Sequence, residues 1–163
     1  MRKGGNAVVP VAGIVVEEQL DAQQASLTNA SRPTRIGAPG ARECGMDFDQ
    51  FTVALLIHRD DAPVLDEDAE NALQDAHMAH LADLHEAGHL LAAGPLLGEP
   101  GRAYRGLSIL AVGADLARVL KEQDPAVRAG LYRVECLPWL VPAGAVRFAD
   151  TQFPRSMAEA VGP

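Results

Sequence analysis

A chain of 163 residues, 48% of them apolar, suggests one domain with a tail and has material for a real core. With aromatics at only 4%, that core is expected to be Leu, Val and Ala. A net charge of -8 argues against a nucleic-acid partner, because neutralising phosphates needs a basic face. No apolar run is long enough to cross a bilayer, so no membrane partner is expected. Cys44 and Cys136 stand far apart and outside any CxxC, which makes neither a disulfide framework nor a zinc site. A reduced, cytoplasmic protein is the expectation. Ala7–Val16 is mildly apolar, but Pro10 interrupts it and acidic residues follow, so it makes a poor signal peptide.

Residues 1–48 are rich in Pro, Gly, Ser, Thr, Asn and Gln and keep no period, which predicts a largely disordered extension. A loosely held strand at Ala7–Val16 is the alternative there. Met46 stands just ahead of the patterned region and is an alternative start of translation. The patterned domain is expected over 49–142. Phe51 to Ile57 (FTVALLI) reads as its first strand. Asp66 is placed as the N-cap of a helix running to about Ala87, with Glu67 and Asp68 in its first turn and Gly88 as its left-handed stop. His89 to Leu97 is the second strand, and Gly98–Arg102 makes a hairpin turn to a third strand, Tyr104 to Val112. A second helix spans Asp115 to Glu122. Asp124-Pro125 then starts a short helical turn ended by Gly130, with Asp as N-cap and Pro in the first helical position. Leu131 to Trp139 is the fourth strand. The tail, 143–163, loses periodicity and is expected to wrap over the surface or over a neighbour.

The order β-α-β-β-α-β is the split-βαβ, ferredoxin-like arrangement of the α+β class. Two helices cover one face of a four-stranded sheet. The strands are apolar almost without alternation, so the second face invites a partner, most simply a second copy in a homodimer.

The first helix carries the chemistry. His77 and His80 fall on the face marked by Leu73, Ala76, Leu81 and Leu84. Two imidazoles aimed at a core need hydrogen-bond partners, so they are either satisfied structurally or line a cavity. The pair has spacing for a metal, but no HExxH and no third ligand accompany it, and no metal site is expected. His85 and His89 read as surface or boundary residues. Asp124 is fully explained as an N-cap, yet a carboxylate against an imidazole would also fix its tautomer and raise its basicity. Both helices lie on one face of such a sheet, which makes a His77–Asp124 approach reasonable. At the start of the third strand, Arg105 and Ser108 are candidate ligand contacts beside Gly106.

The segments HMAHLADLHEAGHLLAAGPL, YRGLSILAV, DPAVRAG and VECLPW together resemble the YciI-like (YCII-related) family over about Phe51 to Trp139. The resemblance implies a ferredoxin-like fold that dimerises through its sheets as a dimeric α+β barrel. It also implies a cavity whose active site is a His–Asp pair, corresponding to His77 and Asp124. One kind of member is a dehydrochlorinase of hydroxylated chloro-aromatics. The expected protein is therefore a cofactor-free small-molecule enzyme of the lyase or isomerase type. His77 would be its acid or base, Asp124 its orienting partner, and Arg105, Ser108 and His80 its substrate contacts. The alternative is a non-catalytic small-molecule-binding or interaction module on the same dimer.

Overall fold

The computed structural model describes residues 34–37 and 47–162. These lie within the unit Ser31–Pro163. The expectations for Ala7–Val16 and for Met46 fall outside the described residues.

The centre of the sheet is β2 (Asp47–His58). On one side it pairs along its length with β5 (Tyr132–Pro142), from Phe48 opposite Pro142 to His58 opposite Tyr132. On the other side it pairs with β4 (Tyr104–Leu110), and β4 pairs in turn with β3 (Leu90–Pro95). All of these pairings are antiparallel, and the strands lie in the order β3-β4-β2-β5. A short strand, β1 (Thr34–Gly37), pairs with the beginning of β2, so the expected extension of 1–48 contains sheet at its end. β2 itself begins at Asp47, ahead of the expected boundary at 49. Polar Asp47, Asp49 and Gln50 hide this start from an apolar pattern, but backbone pairing to β1 and β5 holds it.

β2 is paired along both edges, its helix-facing residues Thr52, Ala54 and Leu56 are buried, and Val53 and Leu55 on its other face are partly covered. One face packs beneath α1 (Glu67–Glu86) and α2 (Ala114–Glu122). There Ala54, Leu84, Leu90, Leu110, Ala117 and Cys136 form the core. Full burial of a leucine is worth roughly 1.5–3 kcal/mol, so three of them anchor both layers. Thr52 is also buried in this layer, its hydroxyl satisfied by donating to the Val112 carbonyl at 2.7 Å. On the other face Phe51 packs against Trp139 and Phe148, with ring centroids 5.9 Å and 5.4 Å away.

The predicted punctuation of α1 is present: the Asp66 carboxylate accepts from the Ala69 N–H at 2.8 Å, and Gly88 follows the helix with φ 74. Its inward stripe is His77, His80, Leu81 and Leu84, the i, i+3, i+4, i+7 set. Ala76 lies off that stripe and is exposed, a correction to its expected place on the apolar face. Asp124 caps the short α3 (Pro125–Arg128), and Gly130 closes it with φ 79.

The C-terminal segment is more ordered than its aperiodic sequence suggests. It returns across α1 and ends in α4 (Met157–Val161), capped by Ser156. Arg155 bridges to Asp83 at 2.8 Å and Glu86 at 2.7 Å, and the Asp75 carboxylate accepts from the Met157 N–H. His85, expected at the surface, instead anchors this segment. Its ring lies 4.4 Å from that of Phe153, and its two nitrogens face the carbonyls of Leu90 (2.8 Å) and Thr151 (2.9 Å). Among the described residues no helix is long and apolar enough to cross a membrane.

Candidate active site

α1 presents His77 to α3, and the helix start places Asp124 to receive it. Nδ1 of His77 lies 2.8 Å from both Oδ1 and Oδ2 of Asp124. The same carboxylate accepts from the Ala126 N–H at 3.0 Å and from Lys121 Nζ at 3.1 Å. Capping and orienting are thus one arrangement, since the cap that turns the chain into α3 fixes the carboxylate before His77. Asp124 and Lys121 are completely buried, and the His77 side chain is 12% exposed.

Burial alone would push the Asp124 carboxyl up. The hydrogen bond from His77 and the Lys121 ammonium outweigh it and hold the group at about 2. The carboxylate is therefore an acceptor at neutral pH. An acceptor at Nδ1 requires the proton there and leaves the Nε2 lone pair as the basic position.

His77 also lines a cavity of about 430 Å³ between α1, the β3–β4 edge and the C-terminal segment. Arg105, Ser108, Tyr132 and Gln74 contribute its polar groups, and Leu56, Met78, Leu81, Phe153 and Met157 its apolar walls. Of the residues singled out in the sequence, His77, Arg105 and Ser108 come together here, with Asp124 directly behind His77. His80 does not line the cavity, a correction to its expected place among the contacts. One turn on from His77, it is turned toward α2, and its Nε2 is buried with no hydrogen-bond partner. Burial holds the His80 imidazole below its ordinary range, against the opposite pull of the Asp124 carboxylate.

Four contributors were not legible in advance. Lys121 reads as an ordinary charge in the last turn of an amphipathic helix. Tyr132 opens a strand with nothing nearby to mark it, and its phenol is pushed up by burial. Phe153 and Met157 belong to a segment without periodicity. The signal that could have found Lys121 is its i,i+3 spacing to Asp124.

Cys136 is part of the core, and burial pushes its thiol up, which suits a packing residue better than a nucleophile. Among the described residues no group of three or more His, Cys, Asp and Glu side chains is arranged to hold a metal ion.

The sequence model of the YCII-related domain matches residues 52–140, which takes in His77, Arg105, Ser108, Asp124 and Tyr132. It ends before the C-terminal segment that supplies Phe153 and Met157. A solved structure similar to the chain is that of a 5-chloro-2-hydroxyhydroquinone dehydrochlorinase from Burkholderia phenoliruptrix, in complex with 2,5-dihydroxybenzoquinone. It is 20% identical, covers 55% of this chain and 92% of its own, and superposes with a TM-score of 0.42. No curated protein matches the chain.

Proposed function

The chain belongs to the YCII-related domain family, and from that premise we propose that it is a small-molecule enzyme of the lyase or isomerase type. His77 is its general base and acid, and Asp124 is the residue that positions it. The observation that carries this reading is the division of labour on one ring. Nδ1 is held by a buried carboxylate, while the ring itself borders a cavity of substrate size.

In this reading Nε2 removes a proton from a carbon of the bound substrate. The resulting imidazolium is stabilised by the Asp124 carboxylate at Nδ1, and the proton returns to a neighbouring atom or to a leaving group. Acid–base catalysis of this kind supplies roughly 10²–10⁴-fold in rate, enough for a substrate with an activated C–H bond. Ser108 and Arg105 are the contacts that hold the substrate. The strand order, with two helices on one face, supports a ferredoxin-like split βαβ domain. The partly covered residues Val53, Leu55, Leu107 and Ile109 on its other face support a homodimer of the α+β-barrel kind. The free, buried Cys136 is in keeping with a reducing, cytoplasmic setting.

The test is turnover across a panel of acidic C–H substrates by the wild type, His77→Gln and Asp124→Asn. Both variants are expected to stay folded. His77→Gln should lose turnover, and Asp124→Asn should lose most of it. Full turnover by folded His77→Gln would remove His77 as the base, whereas binding without turnover by the wild type would leave a binding module in place of an enzyme.

A further inference from the structure

β4 carries one residue more than the stretch of β2 that it faces. Leu56 stands opposite Gly106 and Ile57 opposite Tyr104, so Arg105 has no counterpart and forms a bulge. Strict alternation would point Arg105 away from Ser108. A bulge re-aims the extra side chain, and Arg105 borders the cavity together with Gly106 and Ser108.

Among the described residues none forms an ion pair with that side chain; the pairs present use Arg59, His77, Lys121 and Arg155. Its Nε is buried, and no described residue accepts a hydrogen bond from it. A guanidinium offers five N–H donors and calls for oxygen atoms to meet them. The cavity's apolar lining, Leu56, Met78, Leu81, Phe153 and Met157, offers none, and Gln74 and His77 stand among its polar groups. Ser108 and Tyr132 add hydroxyls to the same space, and burial keeps the Tyr132 phenol protonated and able to donate.

An unpaired guanidinium against apolar walls recognises a planar oxyanion, because its N–H fork matches a carboxylate oxygen for oxygen. We propose that the cavity takes a small carboxylate with an apolar body, its carboxylate seated on Arg105 and its body between α1 and the C-terminal segment. This names the substrate class of the site assigned above and rests on that assignment of the cavity.

The test reads binding rather than turnover. Full-length protein is titrated calorimetrically with benzoate, phenylacetate and isovalerate, and with benzamide, phenylacetamide and isovaleramide as their neutral twins. At least one acid is expected to bind about tenfold or more tighter than its own amide. Arg105→Met should abolish that preference by weakening the acid far more than its amide, and Arg105→Lys should keep part of it. Circular dichroism confirms that both variants are folded. The proposal is overturned if no acid binds, if acids and amides bind alike, or if Arg105→Met keeps the preference. His77→Gln should retain the preference, so a failed dyad and a failed anion site give different results. A preference lost in His77→Gln but kept in Arg105→Met would assign the anion to the imidazole and overturn the proposal.

Discussion

Lys121 and Asp124 form a salt bridge from which water is excluded, with Nζ 3.1 Å from Oδ2 and both side chains completely buried. A buried pair of this kind adds little net stability, but losing one partner is expensive, because the other charge is left uncompensated. Lys121→Met should therefore cost about 3–5 kcal/mol in chemical denaturation. Adding Asp124→Asn should return part of that loss, since the double variant buries no unpaired charge at this place. A single-variant cost below about 1 kcal/mol would mean that His77 and the Ala126 N–H suffice to hold the carboxylate.

The C-terminal segment is expected to act as a removable wall. Its hold on α1 includes exposed ion pairs from Arg155 to Asp83 and Glu86, a kind that salt screens readily, beside the contacts of His85 and Asp75. In Arg155→Ala, amide exchange over 151–161 should accelerate while β2 and β4 stay protected. KM should rise more than kcat falls. Unchanged exchange would assign the attachment to His85 and Phe153 instead.

Much of this site was legible because its parts obey local rules. Asp124-Pro125 announces a helix start, Gly88 and Gly130 announce stops, and a histidine among leucines at helical spacing announces something other than packing. Two helices sharing one face of the sheet made a His77–Asp124 approach reasonable, and the family resemblance singled out that pair. What stayed hidden depends on partners distant in sequence. The bulge that turns Arg105 inward exists only as a slip of register against Leu56 and Ile57, and no local composition marks it. Lys121 is buried against Asp124, the cap of a helix that lies beyond its own. Phe153 is held by His85, far back along the chain, so neither residue's neighbours in sequence suggest the contact.

The homodimer can be tested on the outward sheet face. By register, Leu55 and Leu107 lie opposite each other on it, and Val53 lies opposite Leu137, which is 44% exposed. A charge there would have to be desolvated in a sheet-to-sheet interface. Leu55→Asp and Leu137→Asp should each turn a dimer into a folded monomer in sedimentation velocity runs. A wild-type monomer at micromolar concentration, or a dimer indifferent to both changes, would exclude association through this face.

Acid should destabilise the protein in two stages, each with a known sign. Burial holds His80 and His89 below the ordinary imidazole range, so the folded state takes up their protons less readily than the unfolded chain. Their contribution is complete above the unfolded value of about 6.5 and shrinks as pH falls from there toward the lower folded values. Asp124 then acts in a separate window. Its folded value is about 2, against an unfolded value near 3.8. Its contribution is complete above about pH 4, amounts to something on the order of 2 kcal/mol, and is lost as pH falls through about 2. Urea denaturation at closely spaced pH values should show both losses. His80→Gln should flatten part of the first and leave the second. Asp124→Asn should remove the second, because asparagine keeps much of the capping geometry without a titrating charge. If Asp124→Asn loses stability below pH 4 as steeply as the wild type, the carboxylate is not held ionised by His77 and Lys121, and the reading of Nδ1 as the protonated ring nitrogen falls with it.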